Sequence, residues 1–201
     1  MLFSRSSKPD PKLVDQLEAL EWRAERATSV GAAATYLNQA GDLCLEAGRV
    51  RDALEYFGRT IDAHLAADRF DAAASVCRKV LRAAPDVVRA RCTLTWLALA
   101  NGLEADARAE AEDYLAAAER AGAEVVALLQ VRRMVNVAET VDLRLYLAEV
   151  LMALGDQKTA DEVIGRVLAE RNGLEPPLRV EAEERRNVAR RAAIQGPRMG
   201  W

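Results

Sequence analysis

The fold is decided by residues 40–57, which read AGDLCLEAGRVRDALEYF. Apolar side chains recur every three or four residues on both sides of Gly48, a spacing that predicts two amphipathic helices. Glycine adopts positive φ easily just past a helix end, so Gly48 predicts a tight turn between them. Five residues later stands Ala53, whose small side chain lets two helices approach closely where they cross. The stretch therefore predicts an antiparallel helix hairpin.

The pairing of a turn residue with an alanine five positions later occurs three more times. One hairpin cannot bury its apolar face alone, whereas stacked copies can. We therefore predict an all-α fold of antiparallel hairpins stacked as an α-solenoid, with about ten helices. The further copies are Gly102 with Ala107, Gly155 with Ala160 and, with aspartate at the turn, Asp68 with Ala73.

Residues 70–85, FDAAASVCRKVLRAAP, carry a more specific pattern: an aromatic start, alanines, large apolar residues and a terminal proline. The turns at Asp68 and Gly102 lie 34 residues apart. Over residues 34–172 the chain resembles the tetratricopeptide repeat (TPR) family, whose second helix has this pattern and whose period has this length. The resemblance implies a scaffold that binds proteins in a concave groove lined by the first helix of each hairpin.

The spacing is irregular in two places. Ala53 and Ala73 are only 20 residues apart, so one helix has to close one hairpin and open the next. Ala107 and Ala160 are 53 residues apart, which leaves room for an extra helix near 124–139. Residues 125–138 are apolar on most sides, which predicts a helix buried between its neighbours.

The remaining segments predict tails and caps around the repeats. Asp10 and Pro11 form a helix start, because a capping acceptor precedes a proline in the first turn. We predict an N-terminal tail (1–10), a capping helix (11–30), the TPR-like repeats (31–174), a charged C-terminal capping helix (175–195) and a tail (196–201).

Net charge, the length of apolar runs and the cysteine spacing argue against several classes of protein. The net charge of −3 gives no reason to expect nucleic acid, and the sequence contains no apolar run long enough to span a bilayer. The N-terminus lacks a signal-peptide pattern, so we predict a cytoplasmic location. Three widely spaced cysteines, Cys44, Cys77 and Cys92, fall in apolar helical stripes, which favours reduced core residues in a reducing compartment.

The sequence offers little for catalysis. His64 is the only histidine and no nucleophile motif lies near it, so a catalytic triad has no basis. Zinc on Cys44, His64, Cys77 and Cys92 has suitable residue types, but the CxxC spacing of zinc sites is missing. No phosphate-binding glycine motif occurs. We predict a protein that is not an enzyme and that needs neither metal nor cofactor.

Candidate partner-binding residues come from three regions. The family's groove positions correspond here to Asn38, Asp42, Arg59, Asp62, Tyr146 and Glu149. Where some relatives clamp a peptide carboxylate with cations, this chain has acidic residues, which favours a neutral, basic or apolar partner segment. Phe3 and Trp201, near the ends, are candidate anchors because aromatic residues are enriched at interfaces.

The third region is the C-terminal segment 171–198, which holds seven arginines against four glutamates and includes the candidates Arg186 and Arg190. It is interpreted either as a solvated cap with Glu–Arg pairs three and four residues apart or as a contact surface for an acidic partner, nucleic acid or lipid headgroups.

Three functions remain open at this point. The first is a non-enzymatic scaffold or assembly subunit that binds a partner protein through the concave face or the termini. The second is a peripheral subunit on the cytoplasmic side of a membrane-bound complex. The third is a regulator that binds a small ligand or nucleic acid, and an enzyme has the least support.

Overall fold

A computed structural model describes residues 10–195, and within them the chain forms ten α-helices and no strand. The predicted all-α class and the predicted number of helices are confirmed. The helices are α1 (Pro11–Glu25), α2 (Val30–Glu46), α3 (Val50–Ala66), α4 (Phe70–Ala83), α5 (Val88–Ala100), α6 (Glu104–Arg120), α7 (Glu124–Met134), α8 (Val141–Ala153), α9 (Gln157–Arg171) and α10 (Ala182–Ile194).

The turns between hairpin helices have the predicted chemistry. Gly48 has φ 72° and Asp68 has φ 55°, the left-handed region that glycine enters freely and aspartate tolerates. After α2, the Arg49 amide donates to the Cys44 carbonyl at 2.8 Å and the Gly48 amide donates to the Leu45 carbonyl at 2.9 Å. This pair of bonds is a Schellman motif, which satisfies carbonyl groups that the helix end leaves open.

The alanines that follow these turns lie where the helices cross. All four are at most 1% exposed, so a larger side chain would separate their helices. The prediction that small side chains allow the hairpins to nest is confirmed at Ala53, Ala73, Ala107 and Ala160.

Successive helices pack on one another along the array: α1 on α2, α2 on α3, α3 on α4, α4 on α5, α5 on α6 and α8 on α9. The core runs through these interfaces. Phe57 and Trp96 are fully buried, and the ring of Phe57 contacts α2 at Gly41, where an added Cβ would lie 2.5 Å from the nearest ring carbon. Gly41 is therefore needed for close approach.

The extra helix α7 differs from its prediction. It ends at Met134, and Ala127, Val131 and Met134 are buried as expected. However, Val125 is 74% exposed and Leu129 is 52% exposed, so the expectation of a helix buried on most sides is wrong for its outer face. The reason is that α6 and α8 each contact α7 over only a few positions.

The C-terminal helix also differs from its prediction. Instead of covering the end of the array beyond α9, α10 returns to its middle and packs on α5 and α3. Residues 172–181 form no helix and make this connection. The physical reason lies in α5, which is buried on nearly all sides because α10 covers the face that α4 and α6 leave open.

Candidate protein-interaction surfaces

Asn38 and Asp42 lie on α2 and are joined to α4 through Lys79. The Lys79 ammonium donates to Asn38 Oδ1 at 3.1 Å and forms an ion pair with Asp42. It also lies 4.7 Å from the centroid of the Phe57 ring, a cation–π geometry. The role of Lys79 could not be predicted from the sequence, because its partners lie about 40 residues away on a helix that the periodicity alone does not place.

Arg59 and Asp62 lie on α3 and contact different neighbours. Arg59 Nη1 donates to Glu21 Oε1 of α1 at 3.1 Å, and the Tyr56 hydroxyl donates to the same oxygen at 3.0 Å. Two effects raise the pKa of Tyr56 to about 12: burial is the larger, and this contact with Glu21 is the next. Asp62 accepts from Arg89 Nη2 of α5 at 2.8 Å; burial raises the pKa of Asp62 while Arg89 opposes the rise. The structure thus does not bring the α2 and α3 candidates into one open site.

α10 covers a surface of α3 and α5 that we name the α10 seat. The buried residues of α10 are Ala189, Ala192 and Ala193. Two arginines of α10 also bond to residues outside it. Arg190 donates to both carboxylate oxygens of Asp68 at 2.9 Å, and Arg185 lies 2.7 Å from Glu139. These partners lie outside the helix, in place of the Glu–Arg pairs along it that one interpretation predicted.

Arg186, the other candidate on α10, is exposed. It therefore does not share the contact of Arg190 with the array. Phe3 and Trp201 lie outside the described residues, so the structure gives no position for either anchor.

A groove opens where α7 interrupts the repeat. It lies between α6 and α8, has α7 as its floor and encloses a volume of about 410 Å³. We name it the α7 groove and define it by its lining residues, of which seven are apolar and two are carboxylates. They are Leu115, Ala116, Ala118, Glu119, Glu124, Ala127, Val150, Ala153 and Leu154.

The candidates Tyr146 and Glu149 lie on α8 one turn before this lining. The guanidinium of Arg108 on α6 lies 4.7 Å from the centroid of the Tyr146 ring. Burial raises the pKa of Tyr146, and the nearby carboxylates Glu112 and Glu149 raise it further. The structure therefore brings these two candidates together at the edge of the α7 groove, next to a negative potential.

Two other cavities are more polar or more open. One, of about 470 Å³, separates α1 from α2 and is lined by Gln16, Ala19, Leu20, Arg23, Gln39, Asp42 and Leu43. The other, of about 320 Å³, lies between α2 and α4 and includes His64. Burial, with Arg69 nearby, lowers the pKa of His64, so its imidazole is neutral at pH 7. Ser75 and Thr35 line the same cavity, but among the described residues no hydrogen bond joins His64 to either hydroxyl.

The three cysteines are free thiols in the interior, as their positions in apolar helical stripes predicted. Burial raises the pKa of Cys92 to about 12, so its sulfur is a thiol rather than a thiolate at neutral pH. Within residues 10–195, no three histidine, cysteine, aspartate or glutamate side chains form a group that could hold a metal ion.

The comparisons with known proteins add no relative. No protein-family model matches the chain, and searches of the curated proteins and of the solved structures give no match. None of the helices between residues 10 and 195 has the length and apolar character needed to cross a membrane.

Proposed function

We propose that this chain is a non-enzymatic scaffold, a TPR-like helical array that binds a partner protein on its helix surfaces. The supporting observation is the α10 seat. A helix that is separated from the array by ten non-helical residues, 172–181, lies across α3 and α5 and buries an alanine stripe there. The array thus binds a helix from a distant part of its own chain.

The chemistry of the surface agrees with such a role. Many charged side chains form ion pairs between helices, as in Arg59 with Glu21 and Arg91 with Asp113. A site for acid–base catalysis needs two titratable groups whose environments move their pKa values apart around one pocket. The surfaces described above have instead the apolar grooves and polar rims that are typical of protein interfaces.

The experiment is affinity purification of the tagged full chain from its native host, followed by quantitative mass spectrometry. We expect at least one protein in constant ratio to the bait, and its recovery should fall for at least one exposed-surface substitution that leaves the melting temperature unchanged. Surface substitutions for this panel are Ala153→Arg, Arg186→Glu, and Gln39→Arg in the α1–α2 cavity. If no protein is recovered in constant ratio, or if none responds to any substitution, the scaffold function is wrong.

A further inference from the structure

We propose that the α7 groove binds an apolar helical segment of a partner protein that carries lysine or arginine beside its apolar face. This rests on the scaffold function proposed above and adds the location and the chemistry of the partner.

The α7 groove contains apolar surface that the chain leaves uncovered. Seven lining residues of the groove are apolar, and Leu128 beside it on α7 is only partly buried. On the same helix, Val125 and Leu129 stand one turn apart with 74% and 52% of their surfaces exposed. These two side chains lie on the side of α7 away from Ala127, so the apolar lining of the groove is the surface that marks the proposed interaction site.

The charged residues that line the α7 groove are all negative. Glu119 and Glu124 line the groove, and none of its nine lining residues is basic. Glu119 lies in the last turn of α6, where the partial negative charge of the helix end disfavours a carboxylate. A lysine or arginine from a partner would interact favourably with both the Glu119 carboxylate and the helix end. The C-terminal end of α8 at Ala153 adds a second negative helix end, while the N-terminus of α7 at Glu124 offsets one of them.

The same sign continues along α6 and α8. Glu112 and Glu149 face Tyr146 there, and Arg108 is the cation that opposes them. Arg108 also forms an ion pair with Glu112 at 3.5 Å. Toward Glu149 the surface therefore still favours a basic partner.

The groove lining favours a helix over a small molecule. The groove volume of about 410 Å³ also suits a small apolar ligand, since such pockets measure roughly 300–1,000 Å³. A small apolar molecule would leave the groove carboxylates Glu119 and Glu124 without a cation. A helical segment can place apolar side chains in the groove and a lysine or arginine beside these carboxylates at the same time.

The probe is a display library of random peptides of about 15 residues, roughly four helical turns, selected against the full chain. We expect the selected peptides to have apolar residues three and four positions apart and to be enriched in lysine and arginine. The best peptide is then synthesised with a fluorophore, and its Kd for each protein variant is measured by fluorescence anisotropy.

Two matched variants test whether the peptide binds in the α7 groove. Ala153→Arg in the groove should weaken binding by about tenfold or more, a loss of about 1.4 kcal/mol. Ala105→Arg on the exposed side of α6, outside the lining, should leave the Kd unchanged. Both alanines are exposed, so both variants should fold with the wild-type melting temperature.

A second matched pair decides the role of charge. The double variant Glu119→Arg/Glu124→Arg should weaken binding of the basic peptide about tenfold or more, and the loss should shrink as salt is added. The control Glu18→Arg/Glu55→Arg makes the same change in net charge at exposed positions on α1 and α3. It should leave the Kd within about a factor of two, because these sites lie far from the groove.

Several results would overturn the proposal: no enriched peptide, enrichment of acidic peptides, or a Kd that Ala153→Arg does not change. A stoichiometric apolar small molecule in native mass spectra, lost on Ala153→Arg, would replace the helix with a ligand. If the co-purifying protein still binds Ala153→Arg but is lost on Arg186→Glu or Gln39→Arg, the groove assignment is wrong while the scaffold function stands. If nothing co-purifies, the scaffold function itself is wrong.

Discussion

The α2–α4 region and the α6–α9 region show two ways of holding helices together. In α2–α4 each turn residue is followed five positions later by a buried alanine, and the interior is apolar, with Phe57, Ile61 and Cys77 fully buried. In α6–α9 the spacing is broken by α7. The two charged residues that are buried in the described part of the chain, Arg144 and Asp156, both belong to the α8–α9 hairpin.

Polar clamps replace part of the apolar packing in the second region. Arg144 of α8 donates to both carboxylate oxygens of Glu170 on α9, at 2.6 and 2.5 Å. Arg132 of α7 donates to Asp156 at 2.6 Å, and Glu104 of α6 accepts from the Glu139 and Thr140 amides. Because directed bonds hold this region, it can leave apolar surface open beside α7. The difference teaches that a break in the repeat creates both the clamps and the groove.

The largest expected effect is on the buried clamp. Arg144→Met removes the partner of Glu170 and leaves a carboxylate in a site where both side chains are less than a tenth exposed. We expect a loss of about 3 kcal/mol in the free energy of unfolding, because breaking a buried pair strands a charge. Urea denaturation measures this loss. A control is Arg59→Met, which breaks a half-exposed pair with Glu21 and should cost less than about 1 kcal/mol.

Acid should affect the two regions differently. The hydrogen bond from Arg132 lowers the pKa of Asp156 to about 2, and the bond from Arg144 lowers the pKa of Glu170. A carboxyl with a lower pKa in the folded state stabilises the fold above its unfolded pKa, and this contribution is lost as pH falls toward the folded pKa. Between pH 5 and pH 2, roughly, native-state hydrogen exchange should show α8 and α9 opening before α2–α4. Equal loss in both regions would contradict the comparison.

Alanine substitutions test the difference between closed and open surface. Ala73→Trp at the α3–α4 crossing should cost about 1–3 kcal/mol through overpacking, and Ala160→Trp at the α8–α9 crossing should cost a similar amount. Ala153→Trp on the exposed wall of the α7 groove should stay within about 0.5 kcal/mol of wild type. Thermal melts compare the three. Unchanged melts for Ala73→Trp and Ala160→Trp would show that the helices do not cross there.

The smallest expected effect concerns α10. Arg190→Glu replaces the pair with Asp68 by two like charges at a partly exposed site, so α10 should lose about 1 kcal/mol of docking free energy. Arg186→Glu makes the same charge change at an exposed position of the same helix and should have no effect. Amide exchange of residues 185–194 measures both. Equal exchange in the two variants would mean that Asp68 does not hold α10.

The predictable part of the fold is the part that depends on neighbours in sequence. The turn at Gly48 and the contact at Ala53 are five residues apart, so their spacing alone predicts the hairpin. The position of α10 depends on contacts with residues far away in sequence, such as α5 and, 122 residues from Arg190, Asp68. An alanine stripe and flanking arginines suit a terminal cap as well as a seat on α5, and therefore sequence periodicity could not choose between them.

The candidate site shows the same limit. Tyr146 and Glu149 were predicted from the groove positions of the family, and the structure places them beside the α7 groove. The groove itself was missed because the apolar pattern of residues 125–138 predicted burial on most sides. Its signal was present in the 19 surplus residues between Ala107 and Ala160, since an insertion into a stacked array has to separate two neighbouring helices.

The most direct test is hydrogen–deuterium exchange of the full chain with and without the protein that co-purifies with it. The account predicts new protection at the end of α6, along α7 and at the end of α8, including residues 115–129 and 150–154, with α2–α4 unchanged. Protection confined to α2–α4, or none in α7, would contradict the claim that the break in the repeat is the binding surface.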